Sequence, residues 1–232
     1  MVQVNNTPIT LRVKFSKVGA LSYISHLDLV RTMMKTVVRA RLPLYYTEGF
    51  NPKPKMTFAA PLSIGTESLV EFMDVRLTSR PPTDELFARL SENMPPEMSP
   101  ELVYYPESKL SELAWLAYSI DIRTANADEE LVSSIKGVLS SPEIEIEKRT
   151  KKGDITTVNI APLIHSHSVS LDDGVVHLSA TLSADSSSFL NPEHIIKVLR
   201  RECGVLSDPC LINESYSILR TAAYRADLLE FL

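Results

Sequence analysis

Cysteine is scarce, with Cys203 and Cys210 the only two in 232 residues. Two thiols cannot build a disulfide framework, and their spacing matches no common zinc or cluster motif, so both read as buried or incidental. Long apolar runs are missing as well: nothing approaches the roughly 18 residues that a membrane helix requires. The opening MVQVNNTPIT lacks the basic and apolar regions of a signal peptide. The expectation is a cytoplasmic protein with no membrane partner. Also absent are a glycine-rich phosphate loop, a nucleophile elbow and an HExxH helix, which removes the enzyme classes those motifs define. The aromatic strand signature of RNA-recognition motifs is missing too, so that mode of RNA binding is excluded.

What is present is an ordinary globular composition, 44% apolar and 23% charged, enough for two units that each bury a core. Charge is unevenly distributed. Residues 1–58 hold nine Lys or Arg against Asp28 and Glu48, a net +7, while the remaining 15 bases and 27 acids give −12. Such asymmetry bears on partners rather than fold, and points to an anionic ligand or to contact between modules.

The pattern predicts an α+β protein of two tandem ferredoxin-like modules, residues 1–109 and 110–232. ITLRVKF alternates in the strand period, with Arg12 and Lys14 on one face. Ser25, with Asp28 three positions on, predicts a helix N-terminus, and the helix runs to about Arg41 before Pro43. MTFA and LVEFMDVRL read as strands, TDELFARLSEN as a helix and ELVYYP as a strand, giving the order βαββαβ. The second half repeats the order through WLAYSIDIR, DEELVSSIKGVLS, EIEIEKRT, ITTVNI, NPEHIIKVLRREC and ESYSILRTAAY, with SHSVSLDDGVVHLSATL as an additional hairpin.

The densest candidate region is Lys14 to Gly65. Arg31, Lys35 and Arg39 recur every four residues along the first helix. Asn51 precedes a proline, and Pro52 and Pro54 stiffen the segment so that Lys53 and Lys55 point the same way, suited to phosphates; solvated edge lysines that discourage strand pairing have the same appearance. Lys17 and His26 complete the candidate ligand-binding set. His26 sits in the first turn of the helix, where backbone amides favour an anion over an imidazolium. Glu67, Glu71 and Asp74 read as ordinary polar strand positions. A hairpin turning at Asp173-Gly174 pairs residues whose numbers sum to 347 and puts His165 and His167 on its apolar face and His177 on the other, so these histidines form no metal site. KRTKKGD, Lys148 to Asp154, reads as a basic hairpin tip.

RVKFSKVGALSYISHLDLVR, LPLYYTEGFNPKPKMTFAAPLSIGTESLVEFMDV and TKKGDITTVNIAPLI together resemble the bacterial radical SAM-linked proteins, a family of unknown function fused to or encoded beside radical S-adenosylmethionine proteins. The third block departs from the family's pattern at Asn159 and Ala161. The resemblance implies an accessory partner of a radical SAM protein and brings no catalytic residues. A radical SAM enzyme needs three closely spaced cysteines, so the iron–sulfur cluster and S-adenosylmethionine are expected on that partner, with no cofactor on this chain.

The leading expectation is therefore a non-catalytic accessory or substrate-recognition module that binds RNA or another phosphate-rich ligand through the basic first module. One alternative is an RNA-processing nuclease of tandem ferredoxin-like type with His26 as general acid or base, although residues 205–232 lack the glycine-rich loop of such enzymes. The other is a pure protein–protein interaction module.

Overall fold

The computed structural model describes residues 7–149, 153–207 and 214–232, so Cys210 and the Lys151-Lys152 part of the basic tip lie outside the described residues. Contacts divide the chain into residues 1–113 with Phe231 and Leu232, and residues 114–230. No described helix is long and apolar enough to cross a membrane.

The first unit runs β1 (Ile9–Lys17), α1 (His26–Arg39), β2 (Met56–Phe58), β3 (Thr66–Leu77), α2 (Thr83–Asn93) and β4 (Met98–Tyr104). Its strands lie in the order β4-β1-β3-β2, every neighbour antiparallel. Alternation along β1 sends Leu11, Val13 and Phe15 to the core that Leu29, Met33 and Val37 of α1 and Leu86 and Leu90 of α2 complete. Each such side chain contributes on the order of 1.5–3 kcal/mol over its exposed state. Ser25 caps α1 as its sequence predicts, accepting the Asp28 N–H at 3.2 Å and donating its hydroxyl to the Asp28 carboxylate at 2.7 Å. That hydrogen bond, then the one from Arg31, holds the Asp28 carboxyl below its usual pKa.

The opposite face of β1 is buried too. Arg12 is fully enclosed, its guanidinium donating to both Asp74 oxygens at 2.7 and 3.1 Å, to Ser108 Oγ at 2.8 Å and to the Ser108 carbonyl at 3.0 Å. The buried Phe231 ring lies 5.0 Å from the guanidinium and edge-on to Phe72 at 4.9 Å. Burial works against the Arg12 charge, but the Asp74 carboxylate outweighs it and the pKa is raised.

The second unit runs β5 (Trp115–Arg123), α3 (Glu129–Leu139), β6 (Glu145–Arg149), β7 (Ile155–Asn159), β8 (Ile164–Asp172), β9 (Val175–Ser183), α4 (Glu193–Cys203) and β10 (Ser215–Tyr224). Its sheet is ordered β10-β5-β9-β8, and β6-β7 forms a separate two-stranded sheet. The elements stand where the pattern predicts them, but the two hairpins exchange roles. SHSVSLDDGVVHLSATL, expected as the addition, supplies β8 and β9 of the main sheet, and EIEIEKRT with ITTVNI is the addition. Burial explains the exchange: β9 offers Val176, Leu178, Ala180 and Leu182 as one buried face, whereas β7 is exposed apart from the half-buried Val158. A strand inside a helix-covered sheet needs that apolar face.

The β8–β9 turn places Asp173 (φ 45°) and Gly174 (φ 71°) in the left-handed region that a two-residue hairpin demands, and pairs from Ser166↔Thr181 to Asp172↔Val175 keep the expected sum of 347. A bulge between Ile164 and Ser166 breaks the alternation. It turns His165 off the apolar face onto the Trp115 ring, centroids 5.0 Å apart, which corrects the expected placement of that histidine.

Candidate functional site

Residues 45–55 leave the C-terminal end of α1 as a tightly pinned hairpin. Tyr45 N–H donates to the Arg76 carbonyl at 2.8 Å, Arg76 N–H to the Lys55 carbonyl at 2.9 Å, and Lys55 N–H to the Tyr45 carbonyl at 2.9 Å. Nearer the tip, Thr47 N–H donates to the Lys53 carbonyl at 2.8 Å and Lys53 N–H returns to Thr47 Oγ1 at 3.1 Å. Gly49 turns the tip at φ 121°, a conformation that side chains resist. The consequence is a backbone held rigid while its side chains face water: Phe50 is fully exposed, and Tyr46, Asn51, Lys53 and Lys55 are exposed. Pro54 turns inward between the two lysines and bridges to Tyr46. The Lys55 ammonium lies 5.9 Å from the Tyr45 ring centroid.

The other expected ligand-binding residues divide. Arg31 and Lys35 are exposed on α1, Arg31 paired with Asp28 at 3.1 Å in an exposed ion pair of small energetic weight. His26 is exposed beside Phe58, ring centroids 5.7 Å apart. Lys14 is half-buried on the sheet face opposite the helices. Lys17 is 2% exposed, its ammonium donating to the Leu21 and Ser22 carbonyls at 3.1 and 3.3 Å. Lys17 pairs with Ser68 and Lys55 sits beside Arg76, eight residues further along β3 and so roughly 26 Å away. Asn51, Lys53 and Lys55 thus share one loop, Arg31 and Lys35 share one helix face, and Lys14 and Lys17 join neither.

The neighbouring acids have partners. Asp74 holds Arg12, Glu67 accepts the Gly19 N–H at 2.7 Å, and Glu71 is buried. The three second-unit histidines turn to different groups: His165 to Trp115, His167 Nε2 to Ser140 Oγ at 3.3 Å, and His177 Nδ1 to Asp121 at 2.7 Å. Among the described residues no group of three His, Cys, Asp or Glu side chains could hold a metal ion.

Sequence reasoning missed the aromatic component, Tyr46 and Phe50. The available signal was a phenylalanine set between Gly49 and Asn51, where a polar turn would otherwise be expected.

Several solved structures resemble the chain at low identity. The complex described as "Crystal Structure of a Cbf5-Nop10-Gar1 Complex" is 10% identical with a TM-score of 0.48, over 92% of this chain and 48% of that one. The archaeal box H/ACA sRNP Nop10-Cbf5 complex is 11% identical with a TM-score of 0.44, over 90% and 46%. An unknown protein from Galdieria sulphuraria is 8% identical with a TM-score of 0.25, over 92% and 98%. The chain spans about half the length of the first two. No curated protein matches it. A family model described as an uncharacterized protein conserved in bacteria (DUF2344) matches residues 10–192.

Proposed function

The chain belongs to that bacterial family, and from this premise we propose that it is a non-catalytic accessory protein whose first unit recognises single-stranded RNA for a radical S-adenosylmethionine partner. The observation that carries the reading is the hairpin 45–55, which presents an exposed aromatic ring and two exposed ammonium groups on a backbone fixed by five hydrogen bonds. Single-stranded nucleic acid is held by this combination, bases stacking on aromatic rings while lysines meet phosphates as point charges. Phe50 and Tyr46 supply the stacking surface, Lys53 and Lys55 the phosphate contacts, and Lys35 on α1 a further charge. His26, exposed and edge-on to the Phe58 ring, is read as a ligand contact rather than a reacting group.

We read both units as ferredoxin-like. Support comes from the strand order fourth-first-third-second in each, once β6 and β7 are set aside as an insertion. The partner reading rests on the sequence blocks quoted above. Two cysteines cannot ligate a radical SAM cluster, so the cluster and S-adenosylmethionine belong to the partner, and this chain presents the substrate to it.

The test is fluorescence anisotropy of a short single-stranded RNA with the full chain at about 50 mM and about 200 mM salt. Binding that weakens steeply with salt and is lost in the Lys53→Ala/Lys55→Ala variant supports the reading. Absence of binding at the lower salt overturns it. Co-purification from bacterial cells with and without ribonuclease tests the partner: a radical SAM protein retained after ribonuclease is expected, and its absence in both samples refutes that part.

A further inference from the structure

A cleft of about 440 Å³ in the second unit lies between α4 and β6, lined by Ile146, Glu147, His194, Lys197, Val198 and Arg201. His194, Lys197 and Arg201 stand at i, i+3 and i+7 and so share one face of α4. Ile146 and Val198 are 4% and 1% exposed and make an apolar floor. Arg201 is committed to structure: its guanidinium donates to the Glu145 carbonyl at 2.8 Å, which ties α4 to β6, and to Glu202 at 2.6 Å.

The remaining bases, Lys197 and Lys148, outnumber the one uncommitted acid that lines the cleft, Glu147. Lys197 is exposed and Lys148, on β6, is half-buried; among the described residues neither forms an ion pair. Of the acids nearby, Glu193 is engaged by the Tyr216 hydroxyl at 2.9 Å, Glu202 by Arg201, and Glu147 alone lines the cleft. His194 is half-buried among like charges. Burial, then Lys197 and Lys148, lower its pKa, so at neutral pH the ring is uncharged and poised to take a proton if negative charge arrives.

We propose that this cleft binds a small phosphorylated ligand, its phosphate held by Lys197 and His194 with Lys148 of the adjoining β6 adding positive charge, and its apolar part resting on Ile146 and Val198. The volume suits a ligand of nucleotide size, and a phosphate accepts hydrogen bonds from several cationic donors at once. The site is built from second-unit residues alone and does not depend on the RNA reading of the first unit.

The experiment is an NMR pH titration of the His194 ring in the full chain, assigned with His194→Gln, with inorganic phosphate and then adenosine monophosphate as probes. Sodium chloride at matched ionic strength and the short RNA are the controls. Phosphate and the nucleotide are expected to raise the His194 pKa by about one unit over chloride, and Lys197→Ala and Lys148→Ala to weaken phosphate binding about tenfold each. Lys197→Arg, which keeps the charge, retains binding, and unchanged amide spectra show that the variants fold. The proposal is overturned if phosphate moves His194 no more than chloride does, if the alanine variants bind phosphate like the parent, or if RNA alone moves it. Loss of RNA affinity in Lys53→Ala/Lys55→Ala leaves this titration unaltered, which separates the two readings.

Discussion

Removing Asp74 should unfold the first unit more readily than any exposed substitution, because it strands a buried cation. Arg12 has a fully buried side chain and Asp74 one that is 12% exposed, so the pair is screened little by water. In Asp74→Ala the guanidinium loses both carboxylate contacts and keeps only uncharged neighbours such as Ser108, Tyr104 and the Phe231 ring. Breaking a buried pair from one side costs about 3–5 kcal/mol, and the slight exposure of Asp74 places the expectation near the lower figure. For a unit of this size about 3 kcal/mol lowers the urea midpoint by roughly 1.5–2 M. Urea titration followed through first-unit amide resonances measures this without requiring both units to unfold together. The double variant Arg12→Met/Asp74→Leu should recover most of the loss, since it removes the stranded charge and keeps the volume. A drop below about 1 kcal/mol in Asp74→Ala, or a double variant worse than the single, would refute the idea that the pair is desolvated.

Further outcomes follow from other sites. Phe50→Ala should leave thermal stability unchanged, because the ring touches only water, yet weaken single-stranded RNA binding by about 1–3 kcal/mol in the anisotropy assay. Asn159 accepts the Ile144 and Ala161 N–H groups at 2.9 and 3.0 Å and donates to the Pro142 carbonyl at 3.1 Å. Asn159→Ala should therefore destabilise the base of the β6–β7 hairpin by about 1–3 kcal/mol, seen as faster exchange of its amides. RNA incubated with the parent or with His26→Ala should remain intact on a gel; cleavage by the parent alone would make His26 catalytic. His194 has a depressed folded-state pKa, so the unfolded chain binds its proton first. The stability this residue confers is present above its ordinary value of 6.5 and is lost as pH falls below it, and His194→Gln should flatten that part of the stability curve.

Element positions were legible because each rests on a local signal: alternation along β1 and β5, Ser25 ahead of α1, the Asp-Gly turn that sets the β8–β9 register. Pairings between distant segments were not. The longer apolar alternation of Val176, Leu178, Ala180 and Leu182 marks the hairpin that enters the main sheet, but its weight shows only beside the polar β7 and against α3 and α4. Arg12 and Lys17 read as surface charges because their partners lie elsewhere in the fold, Asp74 being 62 positions away and the Leu21 and Ser22 carbonyls becoming acceptors only when the turn at Gly19–Tyr23 closes. The candidate site was half legible: the proline-spaced lysines announced themselves, while the exposure of the Phe50 ring required knowing that the tip turns outward. The His194–Arg201 stripe carried no reading from the sequence, because its meaning came only once β6 lay across it.

The hairpin of β6 and β7 pairs with itself and contributes no rung to the β10-β5-β9-β8 sheet. It is an addition to that sheet, anchored at its root by Asn159 and by Arg201, whose guanidinium donates to the Glu145 carbonyl. Sequence drift there can reshape one wall of the α4 cleft while the sheet beneath keeps its register. A shortened chain joining Ser141 to Ala161 by a brief turn would lose the buried Ile144, Ile146 and Ile160 and leave α4 with an open flank. The lining of that cleft and the register of the sheet are therefore set by different segments of the same hundred-odd residues.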